Sequence, residues 1–314
     1  MWKRLLALAV SMLLVAFAVP AVAGAQSLRS DTRTADGAFV VVQRDITFEN
    51  DGGTVVGTMT MPRGARSPVP AVLLLHGFTG TRNELPVLGT DDFMFTRTAR
   101  VFAENGIASL RIDFRGSGDS DGTFDQTTFT GQITDAFAAL DFLDTVRRVD
   151  HDRIGVLGFS QGGLVASAVA AADERVASLA YWSPVANPVD TYKGIFGGDV
   201  VTAGLKQPVT HIVLPWGAEI DLQQAFFDDL YRVDPIAEVS EYDGPMQVVV
   251  GTRDTLVTPQ PYYGELFIEY HEGPEELVVV DGDHVFDVLT DAGPAVLDEV
   301  IAENLDWFLT TLSG

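Results

Sequence analysis

From residue 71 onward the chain alternates short, nearly unbroken apolar runs with longer amphipathic stretches. The apolar runs are Ala71–Leu75, Ala108–Ile112, Ile154–Leu157, Ser178–Trp182, Gln247–Val250 and Glu276–Val280. Runs this short, without sustained polar alternation, predict strands covered on both faces, as in a parallel sheet. Helices are predicted between and after them, over Asp91–Asn105, Phe129–Val146, Gly163–Asp173, Pro259–His271 and Pro294–Leu312. Ahead of this rhythm, Phe39–Phe48 and Thr54–Met61 are β-rich and are joined by Asn50-Asp51-Gly52-Gly53, a hairpin turn signature. Alternation of strand and helix behind an antiparallel hairpin predicts an α/β fold with a mostly parallel, doubly wound sheet.

Two segments fall outside the rhythm. Between Trp182 and Gln247 no clean strand is visible. A structureless loop of that length does not suit a compact domain, so residues 184–244 or thereabouts are expected to form an inserted, partly helical cap. Its aromatics, Tyr192, Phe196, Trp216, Phe226, Phe227 and Tyr231, are expected to build the cap's own small core. At the other end, Trp2-Lys3-Arg4 precedes the uncharged apolar run Leu5–Val19, which Pro20 breaks before Ala21-Val22-Ala23-Gly24-Ala25. This pattern reads as a secretory signal peptide, residues 1–25, cleaved after Ala25 or else after Ala23. The run is too short and wrongly flanked for a spanning helix, so no stable membrane insertion is expected once the signal is removed. Residues 26–38 are polar and read as a loose mature N-terminus, leaving 39–314 for the α/β domain.

Charge narrows the partners. Acidic residues outnumber basic ones 44 to 20, a net charge of −24, and Lys3, Lys193 and Lys206 are the only lysines. Such a field repels phosphate backbones, so no nucleic-acid partner is expected. An acid-rich, lysine-poor surface fits a saline habitat and equally an ordinary extracellular protein. With no cysteine, the chain has neither disulfides nor a thiol for lipid attachment. No His/Cys cluster has zinc spacing, and Asp119-Ser120-Asp121-Gly122 lacks the longer spacing of a calcium loop, so no metal or cofactor is expected.

The chemistry begins in Ile154-Gly-Val-Leu-Gly-Phe-Ser-Gln-Gly-Gly163. An apolar strand runs into a lone serine with glycines two residues before and after it, and an alanine-rich helix follows. That is the setting of a nucleophile elbow, with Ser160 as nucleophile and Gly158, Gly162 and Gly163 permitting the tight turn and the close helix. A serine hydroxyl needs a base. Of the five histidines, only His76 and His284 follow predicted strands directly or after a short turn. His76 opens His76-Gly77-Phe78-Thr79-Gly80, where glycine and successive amides suggest an oxyanion loop. His284, late in the chain, is expected to be the base. His151 lies in an acidic turn before its strand, His271 reads as a surface residue ending a helix, and His211, in the cap, stays open as a substrate contact. Asp254, just beyond Gln247–Val250, is expected to orient the imidazole, with Asp283 as a competitor whose adjacent position points it away. The backbone N–H groups of Phe78 and Gln161, with Gly77 allowing the loop, are expected to face the developing oxyanion.

The motifs HGFTGTRN (76–83), LRIDFRGSGDSDGTF (110–124), GFSQGG (158–163), GTRDTLVTP (251–259) and GDHVF (282–286) carry a family resemblance. The chain resembles the serine α/β-hydrolases and, within them, the bacterial cinnamoyl (feruloyl) esterases, from about Ile46 to Leu312. The resemblance implies an α/β-hydrolase fold with an inserted cap that shapes the acyl pocket. It also implies a cofactor-free esterase acting on hydroxycinnamate or other aryl esters, small or polymer-linked. Asp190 and Asp199 are candidates for a cap group that holds a phenolic hydroxyl, and His76 and Trp216 are further candidate substrate contacts. Asp113, Arg115 and Asp119 are expected to brace the loop beneath the site. The same triad serves short-chain carboxylesterases, lipases, polyester hydrolases and thioesterases. The same fold also serves aminopeptidase-like serine peptidases and non-catalytic binding proteins, and both of these readings stay open at the level of sequence. N-terminal sequencing of protein recovered outside the cytoplasm is expected to begin at Gln26; a chain starting at Met1 in a membrane fraction overturns the signal peptide.

Overall fold

The structure is a computed structural model that describes residues 38–65 and 67–313. The expected signal peptide, and all but the last residue of the expected loose N-terminus, lie outside the described residues. The hairpin is present as β1 (Val40–Asn50) and β2 (Gly53–Arg63), paired antiparallel along their length. Asp51 and Gly52 turn it, both with positive φ (48° and 78°), the conformation that matches the twist of two-residue hairpins.

The rhythm then follows as β3 (Val69–Leu75), α1 (Met94–Glu104), β4 (Ala108–Ile112), α2 (Phe129–Thr145), β5 (Val149–Phe159), α3 (Gln161–Ala172) and β6 (Val176–Trp182). Next come α4 (Pro188–Phe196), α5 (Gly198–Gly204), β7 (Val209–Val213), β8 (Glu219–Gln223), α6 (Gln224–Asp229) and α7 (Pro235–Val239). The chain closes with β9 (Met246–Gly251), α8 (Tyr262–Tyr270), β10 (Glu275–Val280) and α9 (Ala295–Thr311). Eight strands form one sheet in the order β1-β2-β4-β3-β5-β6-β9-β10, antiparallel as far as β4 and parallel beyond it. The period of two along β3 explains why its sequence is apolar throughout. Ala71, Leu73 and Leu75 enter the core under α2 and α3, whereas Val72 and Leu74 enter the opposite core with Phe95 and Phe102 of α1 and Phe308 of α9.

Several expected boundaries move, for identifiable reasons. Helix α1 begins at Met94 rather than Asp91, because the Phe93 N–H is taken by the Thr96 hydroxyl (2.8 Å) and Asp92 binds Arg97 and Arg100. Helix α8 begins after Pro261 rather than at Pro259, since the Pro261 ring disfavours helical backbone at Gln260 before it. Strand β5 starts at Val149, so Asp150, His151 and Asp152 are extended strand residues rather than a turn; Val149 pairs with Val69 across a register shift. Between β6 and β9 two strands do exist. β7 and β8 form a separate antiparallel pair whose inward positions include Thr210 and Ile212. Val209 and Val213 face outward, so the polar–apolar alternation that would have marked β7 in the sequence is absent. Tyr192, Phe196, Phe226 and Phe227 of this insertion are buried together, but in the core shared with the sheet, α2 and α3 rather than in a small core of their own, while Trp216 and Tyr231 are about half exposed.

Among the described residues no helix is long and apolar enough to cross a membrane. Helix α9 is locked to the sheet by polar groups inside the second core. The Trp182 indole N–H donates to Asn304 Oδ1, the Asn304 amide donates to Gln247 Oε1, and Gln247 Nε2 donates to Glu276 (2.7 Å). Asn304→Leu keeps the shape but orphans the Trp182 N–H and the Gln247 carbonyl. It is expected to cost about 2–4 kcal/mol, read from the urea midpoint of unfolding.

Candidate active site

Ser160 occupies the sharp turn between β5 and α3 with φ +53° and ψ −115°, a region non-glycine residues rarely adopt. The turn is held from both sides. The Ser160 N–H donates to the Trp182 carbonyl (2.8 Å), and its own carbonyl accepts from Gly163 (3.0 Å) and Val185 (3.1 Å). The glycines are required by contact. A Cβ on Gly158 would strike the Gly162 carbonyl, one on Gly162 the carbonyls of Leu75 and His76, and one on Gly163 the Pro184 ring. Gly77 is less tightly held, an added Cβ there coming 3.1 Å from the Phe159 ring and 3.3 Å from the Ser160 Cβ.

Three residues from distant segments meet here. His284 Nε2 lies 3.0 Å from Ser160 Oγ, and His284 Nδ1 lies 2.7 Å from Asp254 Oδ2. The other Asp254 oxygen accepts the N–H groups of Leu256 (2.8 Å) and Val257 (2.9 Å), which fixes the carboxylate. All three side chains are buried. Asp283 turns instead to the amides of Val285 and Asp287, so it is Asp254 that meets the ring. Ser160 and His284 line a cavity of about 440 Å³ whose walls include Phe78, Phe159, Ile195, Trp216, Leu256 and Leu289. Phe78 stands in that wall, and Gln161 follows the serine directly. Among the described residues neither main-chain N–H has a hydrogen-bond partner.

The other predicted contacts divide. Trp216, in the turn between β7 and β8, reaches the cavity. His76 does not: it is buried beneath the loop, Nε2 accepting the Phe114 N–H (3.2 Å) and Nδ1 facing the Gly77 carbonyl (2.8 Å). Burial drives its pKa down to about 4, so it is a neutral strut joining the ends of β3 and β4 rather than a substrate contact. Asp190 is also corrected, since it is exposed in the first turn of α4, where its carboxylate and amide meet the Asn187 side chain. Asp199 sits exposed in the first turn of α5. His211, exposed on β7, pairs with Asp221 (2.9 Å). His271 is buried rather than at the surface, its Nε2 against the Gly244 carbonyl (2.9 Å). Asp113, Arg115 and Asp119 brace the loops: Asp113 accepts the Arg82 amide (2.6 Å) and pairs with its guanidinium, Asp119 pairs with Arg82, and Arg115 holds Asp135 (2.6 Å). Among the described residues no group of histidine or carboxylate side chains suits a metal ion.

Two features are not foreshadowed by the sequence. Glu84, in the same loop as Phe78, is buried in the cavity wall and accepts the Gly77 N–H. The Gln161 side chain is held between Gln132 of α2 (2.6 Å) and the Tyr192 hydroxyl of α4. No local pattern marks either, because each depends on a partner elsewhere in the chain.

A mostly parallel eight-stranded sheet with a strained serine at the strand-to-helix turn defines an α/β-hydrolase. The chain belongs to the family described as X-Pro dipeptidyl-peptidase (S15 family), whose model matches residues 51–214, a span that includes the elbow but neither Asp254 nor His284. Among solved structures, Est1E from Butyrivibrio proteoclasticus with ferulic acid bound superposes with a TM-score of 0.71 at 22% identity, over 86% of this chain and all of that one, a likeness of fold. An uncharacterised 31.7 kDa protein of Escherichia coli is 34% identical over 107 residues, only about a third of either chain (34% of each). The quorum-quenching protein AidA of Acinetobacter baumannii is 28% identical over 224 residues, 60% of this chain and 71% of that one. The chain thus spans about a third of the length of that Escherichia coli relative, and its family is one of hydrolases.

Gly162→Ala is expected to lower stability by about 1–3 kcal/mol, because main-chain carbonyls must move to admit the methyl group. Gly194→Ala, inside α4 with open space around it, is expected to raise stability by about 0.5–1 kcal/mol. Urea denaturation of the two variants checks the pair of opposite signs.

Proposed function

We propose that the protein is an exported serine carboxylic ester hydrolase that works through an acyl-enzyme and prefers aryl or hydroxycinnamate esters. The observation that carries the reading is the hydrogen-bonded series Ser160–His284–Asp254 opening into an apolar cavity. Its volume and aromatic walls suit a planar acyl group. The likeness of fold to an esterase that holds ferulic acid supports the same choice. Export rests on the N-terminal pattern Lys3-Arg4 followed by Leu5–Val19.

In the first half-reaction His284 Nε2 accepts the Ser160 proton as Oγ attacks the ester carbonyl carbon. Asp254, already fixed by two amides, stabilises the imidazolium and holds the ring in place. The carbonyl oxygen becomes an oxyanion at the free N–H groups of Phe78 and Gln161, each such donor contributing a factor of roughly 10²–10³. The C–O bond breaks, and the alcohol leaves with the proton from His284. Water then attacks the acyl-serine by the same route, returning the proton to Ser160 and releasing the acid.

A second reading follows from the family description, cleavage of an X-Pro amide bond by the same serine. One panel separates them: methyl ferulate, a short-chain nitrophenyl ester, a long-chain ester and an X-Pro nitroanilide. Highest kcat/KM on methyl ferulate is the expected result. Preference for the nitroanilide transfers the protein to the peptidase reading, and preference for the long-chain ester to a lipase-type one. Ser160→Ala is expected to lower kcat by about 10⁴–10⁶ with the fold intact, and to lose labelling by a fluorophosphonate. Retained hydrolysis in that variant overturns the mechanism.

A further inference from the structure

The loop that follows β3 carries Glu84 in an unusual position. Its backbone is left-handed (φ +62°), a cost a glutamate bears only where the surroundings enforce it, and its carboxyl is turned inward against the loop. There it accepts the Gly77 N–H and fills the space beside Gly80, where a Cβ would run into the carboxyl itself. The segment that presents it is anchored from outside. The Glu84 N–H donates to the Thr81 carbonyl (2.9 Å), and the carbonyls of Asn83 and Leu85 accept from Phe95 (3.1 Å) and Met94 (2.9 Å) at the start of α1. Arg111 holds the Asn83 side chain (2.6 Å). Phe78, whose N–H has no partner among the described residues, lies directly after the clamped Gly77, and Glu84 shares the cavity wall with Ser160 and His284.

We propose that Glu84 is a positioning residue of the oxyanion loop, its carboxyl gripping the Gly77 amide so that the neighbouring Phe78 amide stays free for the substrate oxygen. The inference rests on the acyl-transfer reading given above. It also explains why the group is an acid that stays neutral. A carboxylate at this place would oppose a negative charge forming on the substrate oxygen, whereas a carboxylic acid grips the amide without that penalty.

The surroundings favour the neutral acid. Burial pushes the Glu84 carboxyl up to about 8, and the Gly77 N–H opposes this only in part. The charged and titratable groups around it are engaged elsewhere. Arg82 is bound to Asp113 and Asp119, His76 to Phe114 and Gly77, and Arg111 to Asn83. Across the cavity, His284 is bound to Asp254, and Asp283 is bound to the amides of Val285 and Asp287. With the pKa raised, the acid is neutral at pH 7 and ionises as pH climbs through about 8, so activity is expected to fall on that side.

The test compares wild type, Glu84→Gln and Glu84→Ala, following kcat and KM on a short-chain nitrophenyl ester from neutral to alkaline pH. Wild-type kcat/KM is expected to decline about tenfold per pH unit above about 8. Glu84→Ala is expected to lose about 10- to 100-fold in kcat with KM little changed, as for a weakened transition-state contact. Glu84→Gln, whose amide oxygen still accepts the Gly77 N–H but cannot ionise, is expected to recover most of that loss and to abolish the alkaline decline. Wild-type kcat in Glu84→Ala, or an unchanged decline in Glu84→Gln, overturns the proposal. If Glu84→Ala does not fold, the pH profiles of wild type and Glu84→Gln decide alone. Fluorophosphonate labelling of Ser160 separates the two levels. Labelling together with an unchanged profile in Glu84→Gln refutes the role of Glu84 only, whereas an unlabelled wild-type serine refutes the acyl-transfer reading beneath it.

Discussion

The close approach of α3 to the end of β3 is the constraint on which the site depends. Gly162 sits against the carbonyls of Leu75 and His76 with no room for a methyl group, and Gly158 sits equally close to Gly162. These contacts force Ser160 into its positive-φ turn and lift its hydroxyl clear of both strand and helix. The strain is retained because the sheet on either side is buried on both faces and cannot relax locally. Everything else at the site is placed relative to that one hydroxyl.

The segments that meet Ser160 are far apart in the chain and come together through strand order. β9 lies beside β6, and β10 beside β9, so Asp254 and His284 leave the same edge of the sheet as Ser160 leaves β5. Parallel strands make this automatic: every loop that follows a strand emerges on one side. The loop after β3 supplies the opposite wall. It is braced from below by the Asp113–Arg82 pair and by neutral His76, which bridges to β4, so its amides are presented by a scaffold with little freedom to move.

The insertion between β6 and β9 is tied to this scaffold through Tyr192. Its ring packs edge-on against Phe78 (5.4 Å between centroids), and its hydroxyl binds the Gln161 side chain. One aromatic residue of the insertion therefore touches both residues whose amides stand free beside the serine. Phe196 and Phe226 extend the same packing against Phe78. The insertion thus shares a core with the rest of the domain, and its attachment to the site is built from packing and buried hydrogen bonds rather than from surface charge.

The alternation of apolar runs and amphipathic stretches was enough to read the strands of the main sheet, most helices, the leading hairpin and the sheet class, because a doubly covered parallel strand writes its burial directly into composition. The elbow was legible for the same reason: Gly158, Ser160 and Gly162 are close in sequence and answer to a local geometry. Strand β7 was not legible, since Val209 and Val213 face solvent and cancel the expected alternation. His76 and Asp190 looked alike in the sequence as polar residues near the site, yet one is a buried strut and the other an exposed helix-end residue. The buried Glu84 carboxyl and the Gln132–Gln161–Tyr192 connection were invisible, because a polar side chain's burial depends on partners brought from other elements. By itself the sequence determined the periodic elements and the local turn that bears the serine, both set by short-range sterics and hydrophobic spacing. The sequence also pointed to Asp254 and to the Phe78 and Gln161 amides; only the tertiary structure decided which carboxyl loses its water and which polar side chains meet across elements, because desolvation and long-range contact exist only once the layers have closed.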